Sequence, residues 1–257
     1  MAAVLQFITE SPNLAAIIGG VAPAVVWLWF WLKEDGTRPE PKRLIVLSFL
    51  LGAMAVFLAF ILERIALMVI APGYSPADSL ITLPFNQQVT VIITWSLIEE
   101  MIKYGLAAAT IFRLASFDEP VDAMIYMITI ALGFSAMENS LFLLNAGTLG
   151  GAAELFLTGN LRFLGATILH VVSSAVIGGM VALSFYAPHI KQIEYFLVGL
   201  CTATGLHALF NFFIISTDSR DIIKVLAFLW LSAILILLLF ERVKRTIVVT
   251  TPPTTYV

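Results

Sequence analysis

The chain has 257 residues, of which 60% are hydrophobic and 12% charged, with a formal charge of −3 and a mean hydropathy of +0.98. Apolar runs long enough to cross a bilayer, about 20 residues each as helix, recur along it and define a polytopic helical membrane protein. There is no alternating pattern for a membrane barrel, and no basic patch with interleaved aromatics that would bind nucleic acid.

In chain order, hydropathy predicts spans near 13–33, 43–71, 84–113, 120–145, 162–187, 192–215 and 222–243, with a short amphipathic stretch around 150–160. The fold class is therefore an all-α bundle of about seven transmembrane helices, within a range of six to eight. The first span has no preceding basic residue and no small-residue cleavage site after it, so it reads as a retained helix and not a signal peptide. Residues 1–249 read as one membrane domain, and 250–257 as a disordered tail. No inverted repeat of the transporter kind is visible. Cys201 is the single cysteine and lies inside a span, so no disulfide can form within the chain.

Basic residues cluster after the first span (Lys33, Arg38, Lys42, Arg43), after the third (Arg113), before the sixth (Lys191) and after the last (Arg242, Lys244, Arg245). The alternate loops carry fewer: none between 72 and 84, then Arg162, then Arg220 and Lys224 offset by Asp218 and Asp221. By the positive-inside rule the N-terminus is outside and the C-terminus cytoplasmic.

Four of the spans carry polar groups one turn apart: Glu99, Glu100 and Lys103; Glu138 and Asn139; His170 and Ser174; His207 and Asn211. A charge at the centre of a lone membrane helix costs about 2.5–3.5 kcal/mol on insertion scales, so these groups face the bundle interior or water. Lys103 lies four residues after Glu99 and three after Glu100, so one ammonium can sit beside both carboxylates. A structural ion pair needs only one carboxylate; the second leaves excess negative charge or a shared proton, a state suited to a general base. His189 falls in a loop and reads as solvated. Glu63 and Arg64 are adjacent, about 100° apart on their helix, so Arg64 snorkels or meets another helix. Glu138, His170 and His207 each lie about eight or nine residues from the extracytoplasmic end of their span, roughly 12–14 Å. Glu99 and Glu100, about 15 residues along a longer and tilted span, can reach the same outer-half layer.

The runs from Glu99 to Lys103, from Phe134 to Asn139, from His170 to Ser174 with Gly178, and from His207 to Asn211 resemble, in that order, the four motifs of the PrsW family of intramembrane proteases. Asp35 with Pro39-Glu40-Pro41, Asp122, Tyr126 and Arg162 agree with the same pattern. That family is similar to the CAAX-processing prenyl proteases and, more remotely, to the Aph subunit of gamma-secretase. The resemblance implies a multi-pass cell-membrane protease that cleaves a membrane-protein substrate, such as a single-pass anti-sigma factor, near the extracytoplasmic side. By motif position it implies Glu99 as the base that activates water, Glu100 and Lys103 as groups that tune it, and His207 with Asn211 at the oxyanion. Glu138 stands where the prenyl proteases have a histidine and is open to sharing the water, binding metal or acting as acid.

Amide hydrolysis needs a polarised water, donors at the oxyanion and a proton for the leaving amine, all of which these side chains can supply without a Ser or Cys nucleophile. Whether the centre holds no cofactor or a zinc ion stays open; Glu138, His170 and His207 form a ligand set with one open position. Two other readings use the same residues: a proton- or ion-coupled transporter, and a non-catalytic scaffold of the Aph type.

Overall fold

The computed structural model describes residues 11–33, 39–75, 80–216 and 222–245, and for 146–164, 215–216, 222 and 224–225 the backbone path only. Its helices are α1 (Pro12–Lys33), α2 (Lys42–Ile70), α3 (Phe85–Ala109), α4 (Pro120–Leu164), α5 (Ala166–Leu183), α6 (His189–Ser216) and α7 (Ile222–Lys244), with 3₁₀ turns at Leu80–Thr82 and Ile111–Arg113. No strand occurs among the described residues. The bundle is thus all-α, as hydropathy requires when each backbone polar group must be satisfied within its own segment. Asp35, Arg38, Asp218, Arg220, Asp221 and the tail 250–257 lie outside the described residues, as do the side chains of Arg162 and Lys224.

Among the described residues, six helices are long and apolar enough to span a bilayer. The seventh, α3, has 25 residues, enough for a crossing at 1.5 Å per residue, but its Glu99, Glu100 and Lys103 are all buried. Its lower apolarity follows from where those groups point. The turn at Pro84 starts it without a side-chain cap.

Buried residues fill 72% of the spans in α4 and α5, against 22% in α1 and 28% in α7. The first pair is the centre of the bundle and the second pair its lipid-facing wall, with exposed Trp29 and Leu238 typical of an outer surface. Hydrogen bonding is helical from Pro120 to Leu164, yet Asn139 Nδ2 donates to Thr167 Oγ1 at 3.0 Å across 28 residues. A straight helix would separate those positions by about 42 Å. The path from Pro120 to Leu164 is therefore not straight. Gly165 ends it, and α5 begins only four residues before His170. The expected span from 162 is thereby shortened, leaving His170 about 6 Å from its helix start.

Close backbone approach sets the positions of α2, α4 and α5. A Cβ on Gly52 would strike the carbonyl oxygen of Ile130, and a Cβ on Gly133 that of Phe49, a reciprocal crossing of α2 and α4. At Gly178 a Cβ would lie 2.8 Å from Ala123 O. Small residues at such crossings are the usual means of helix association where lipid removes the hydrophobic driving force. At the other end of α4, the Asp122 carboxylate accepts from the backbone N–H of Asp118 at 2.9 Å and of Glu119 at 2.8 Å. Tyr126 OH donates to Glu40 there, joining the segment before α2 to α4.

Candidate active site

Glu138 and His207 each stand 18 residues past the first residue of their helix (120 to 138, 189 to 207), about 27 Å along it. Side chains from four helices meet in one layer. From α3 come Glu99, Glu100 and Lys103, from α4 Phe134 and Glu138, from α5 His170 and Ser174, and from α6 His207. All but the half-buried Glu138 are shielded from solvent.

Lys103 Nζ has three N–H donors, and three acceptors take them: Glu100 Oε1 at 2.9 Å, His170 Nδ1 at 3.0 Å and Glu99 Oε2 at 3.4 Å. The ammonium also lies 4.3 Å from the centre of the Phe134 ring, an attraction that strengthens away from water. Glu100 is satisfied on both oxygens, since Ser174 Oγ donates to Oε2 at 2.9 Å and His207 Nδ1 donates to Oε1 at 3.0 Å. Ser174 is therefore a hydrogen-bond donor to the ion pair. His170 Nε2 donates to Glu138 Oε2 at 3.0 Å.

These partners fix both imidazole tautomers, because a carboxylate only accepts. His170 carries its proton on Nε2 and His207 on Nδ1. The two unprotonated nitrogens, His170 Nδ1 and His207 Nε2, then face Glu99 Oε2 at 3.7 and 3.8 Å. The rings sit edge to face, 5.2 Å between centres. Two imidazole lone pairs and a carboxylate oxygen thus converge on one buried point, an arrangement that seeks a cation or a proton.

That donor set suits a divalent metal. Among the described residues, the group whose ligand atoms converge is Glu99, His170 and His207, all within 4.8 Å of one another. Each imidazole also gives its remaining N–H to a carboxylate, His170 to Glu138 and His207 to Glu100, the outer-shell pattern that orients metal-binding histidines. The set expected from sequence was Glu138, His170 and His207. Glu138 instead holds the far nitrogen of His170, and Glu99 takes the third position. Asn211 is half-buried one turn beyond His207. Asn139 works elsewhere: it donates to Ser135 Oγ at 3.1 Å as well as to Thr167, joining α4 to α5. His189 and Cys201 are exposed, and no hydrogen bond joins either to the centre among the described residues.

Sequence reasoning missed Glu63. It lies within electrostatic reach of Glu99, Glu138 and Lys103, and its backbone carbonyl accepts from Trp95 Nε1 at 3.1 Å, one turn before Glu99. The signal was present: Gly52, Val56, Ala59 and Glu63 recur every three or four residues along the inward face of α2.

The fold and site define an all-helical integral membrane protein with a buried carboxylate–imidazole centre. The model of the PrsW family of intramembrane metalloproteases matches residues 40–239. The chain belongs to that family and is an intramembrane protease. It is 23% identical to Protease PrsW of Geobacillus kaustophilus over 79% of this chain and 80% of the relative. To Protease PrsW of Bacillus subtilis it is 22% identical, over 84% of this chain and 91% of the relative. A third, Protease PrsW of Oceanobacillus iheyensis, is 30% identical over 52% of this chain and 56% of the relative. No solved structure matches.

The Glu138–His170 bond carries a prediction. In Glu138→Gln the amide oxygen still accepts from Nε2–H, but a neutral acceptor orients the ring less firmly, so proteolysis should fall about 10- to 100-fold. Glu138→Ala should fall further. Steady-state cleavage by the purified variants checks the order; equal activity in wild type and Glu138→Ala would remove Glu138 from the site.

Proposed function

We propose that this chain hydrolyses a peptide bond of a membrane-anchored protein, such as a single-pass anti-sigma factor, near the extracytoplasmic face, with water activated where Glu99, His170 and His207 meet. The observation that carries the reading is the convergence of two imidazole lone pairs and the Glu99 carboxylate in a buried layer. Without a metal, Glu99 Oε2 would take the proton of a water lying between the rings and return it to the leaving amine. Glu100 fixes His207 so that Nε2, not Nδ1, faces that water, and Glu138 does the same for His170 Nδ1. Asn211, one turn from His207, can donate its carboxamide N–H to the developing oxyanion. The residues fit a zinc ion: Glu99, His170 and His207 would hold it, and when bound it supplies Lewis-acid polarisation of water and of the scissile carbonyl.

The basic loops support an extracytoplasmic cut. Lys42 and Arg113 lie toward the start of α2 and the end of α3, and Glu138 and His207 lie about 27 Å along helices that begin on that same side. With that side cytoplasmic, the layer falls in the outer half of a core about 30 Å thick.

Comparing the membrane proteomes of cells carrying wild type and Glu99→Gln tests the reading. A membrane protein shortened near its outer boundary should accumulate in the wild type alone, and identical proteomes at equal enzyme levels would count against it. In reconstituted vesicles a zinc chelator should stop cleavage of that substrate and added Zn²⁺ should restore it. Indifference to the chelator assigns the water to Glu99 without metal.

A further inference from the structure

Lys103 occupies two of the three atoms that a metal would use. Its Nζ donates to His170 Nδ1 at 3.0 Å and to Glu99 Oε2 at 3.4 Å. A carboxylate oxygen has lone pairs to share, but Nδ1 has one, and it cannot accept a hydrogen bond and coordinate a metal at once. The other ring nitrogen offers no escape, because Nε2 gives its proton to Glu138 at 3.0 Å. Lys103 and a metal therefore compete for one lone pair.

The ammonium has somewhere to go. Glu100 Oε1 lies 2.9 Å from Nζ, and the Phe134 ring face 4.3 Å. Moving Nζ off His170 while it stays on Glu100 and Phe134 would free Nδ1. We propose that Lys103 is the resident cation of the metal-free centre, that metal enters only by displacing Nζ from His170 Nδ1, and that Lys103 thereby sets the affinity of the site for metal. The proposal rests on the reading that Glu99, His170 and His207 are the ligands. It gives Lys103 two tasks: it keeps the carboxylates satisfied before loading, and it makes the site selective for a metal that binds imidazole strongly enough to evict it.

The test is metal binding itself. Purified full-length wild type, Lys103→Met and the charge-balanced pair Lys103→Met/Glu100→Gln are titrated with Co²⁺ alone and followed by its visible absorption and by equilibrium dialysis. Removing a charge-assisted competitor should tighten binding on the order of 10- to 100-fold in both variants. The paired variant guards against misfolding, since it leaves no excess carboxylate behind and the new carboxamide oxygen can still accept from His207. A measurement on wild type alone covers the case in which both variants fail to fold: the ¹⁵N signal of Lys103 Nζ should move over the same Zn²⁺ concentrations that shift His170 Nδ1. Equal or weaker binding in the variants, or a Lys103 signal unmoved by bound Zn²⁺, overturns the proposal. Absence of binding in every protein also overturns it, and proteolysis by that same wild-type preparation would show the proposed function standing without it.

Discussion

Glu99→Gln, His207→Ala and the double variant are each expected to lose proteolysis to about the same floor, on the order of 10³-fold or more below wild type. Equality is the informative part. If Glu99 and His207 acted separately, their losses would multiply; if they hold one water at one point, removing either empties the centre and the second substitution removes nothing further. The geometry favours the second case, since His207 Nε2 and His170 Nδ1 both face the same Glu99 oxygen. Glu99→Gln keeps an oxygen that can accept from Lys103, so the protein should still fold and accumulate. His207→Ala leaves Glu100 without its N–H donor but retains Lys103 and Ser174 on that carboxylate. Cleavage of a membrane-anchored substrate by the reconstituted proteins measures all three. A double variant reduced by the product of the single losses would show two independent contributions and sink the single-centre reading.

Much of this centre was legible because the membrane makes polar groups conspicuous. Lys103 beside two carboxylates, and two histidines each with a polar partner one turn on, stand out in apolar helices where such groups are costly. Helical spacing could place Lys103 against Glu99 and Glu100 because all three share α3. It could not say which nitrogen of His170 faces which carboxylate, since that depends on how α4 and α5 cross. Hence Glu138, plausible as a ligand from its position in the sequence, turns out to hold the outer nitrogen, and Glu99 completes the inner set. Glu63 is easily overlooked because its neighbour Arg64 draws notice away from the inward stripe it shares with Ala59 and Val56. Hydropathy places the start of α5 too early for a related reason: it records apolar length, and the turn at Gly165 lies within an apolar run. The α2–α4 crossing lies further from the sequence still, because Gly52 and Gly133 each look like an ordinary membrane glycine until their partners are known.

That crossing leads to a large effect on stability. Gly52→Val or Gly133→Val is expected to destabilise the bundle by on the order of 3 kcal/mol, the upper part of the range for overpacking. Each glycine meets a backbone carbonyl, not the end of a flexible side chain: Gly52 meets Ile130 O and Gly133 meets Phe49 O. A carbonyl held in a helical hydrogen bond cannot turn aside, so relief must come from separating the helices. Separation reaches the site directly. Phe134 follows Gly133, lies beneath Lys103 and packs 5.3 Å from the His170 ring, while Glu63 rides on the displaced face of α2. Activity should therefore fall together with stability. The paired variant Gly52→Val/Gly133→Val should cost less than the sum of the two, because helices already forced apart by one side chain admit the second more easily. Unfolding of the purified proteins in detergent gives all three values. Single variants that unfold with the wild type would mean that α2 and α4 can part without loss, and that their close approach does not hold the catalytic layer together.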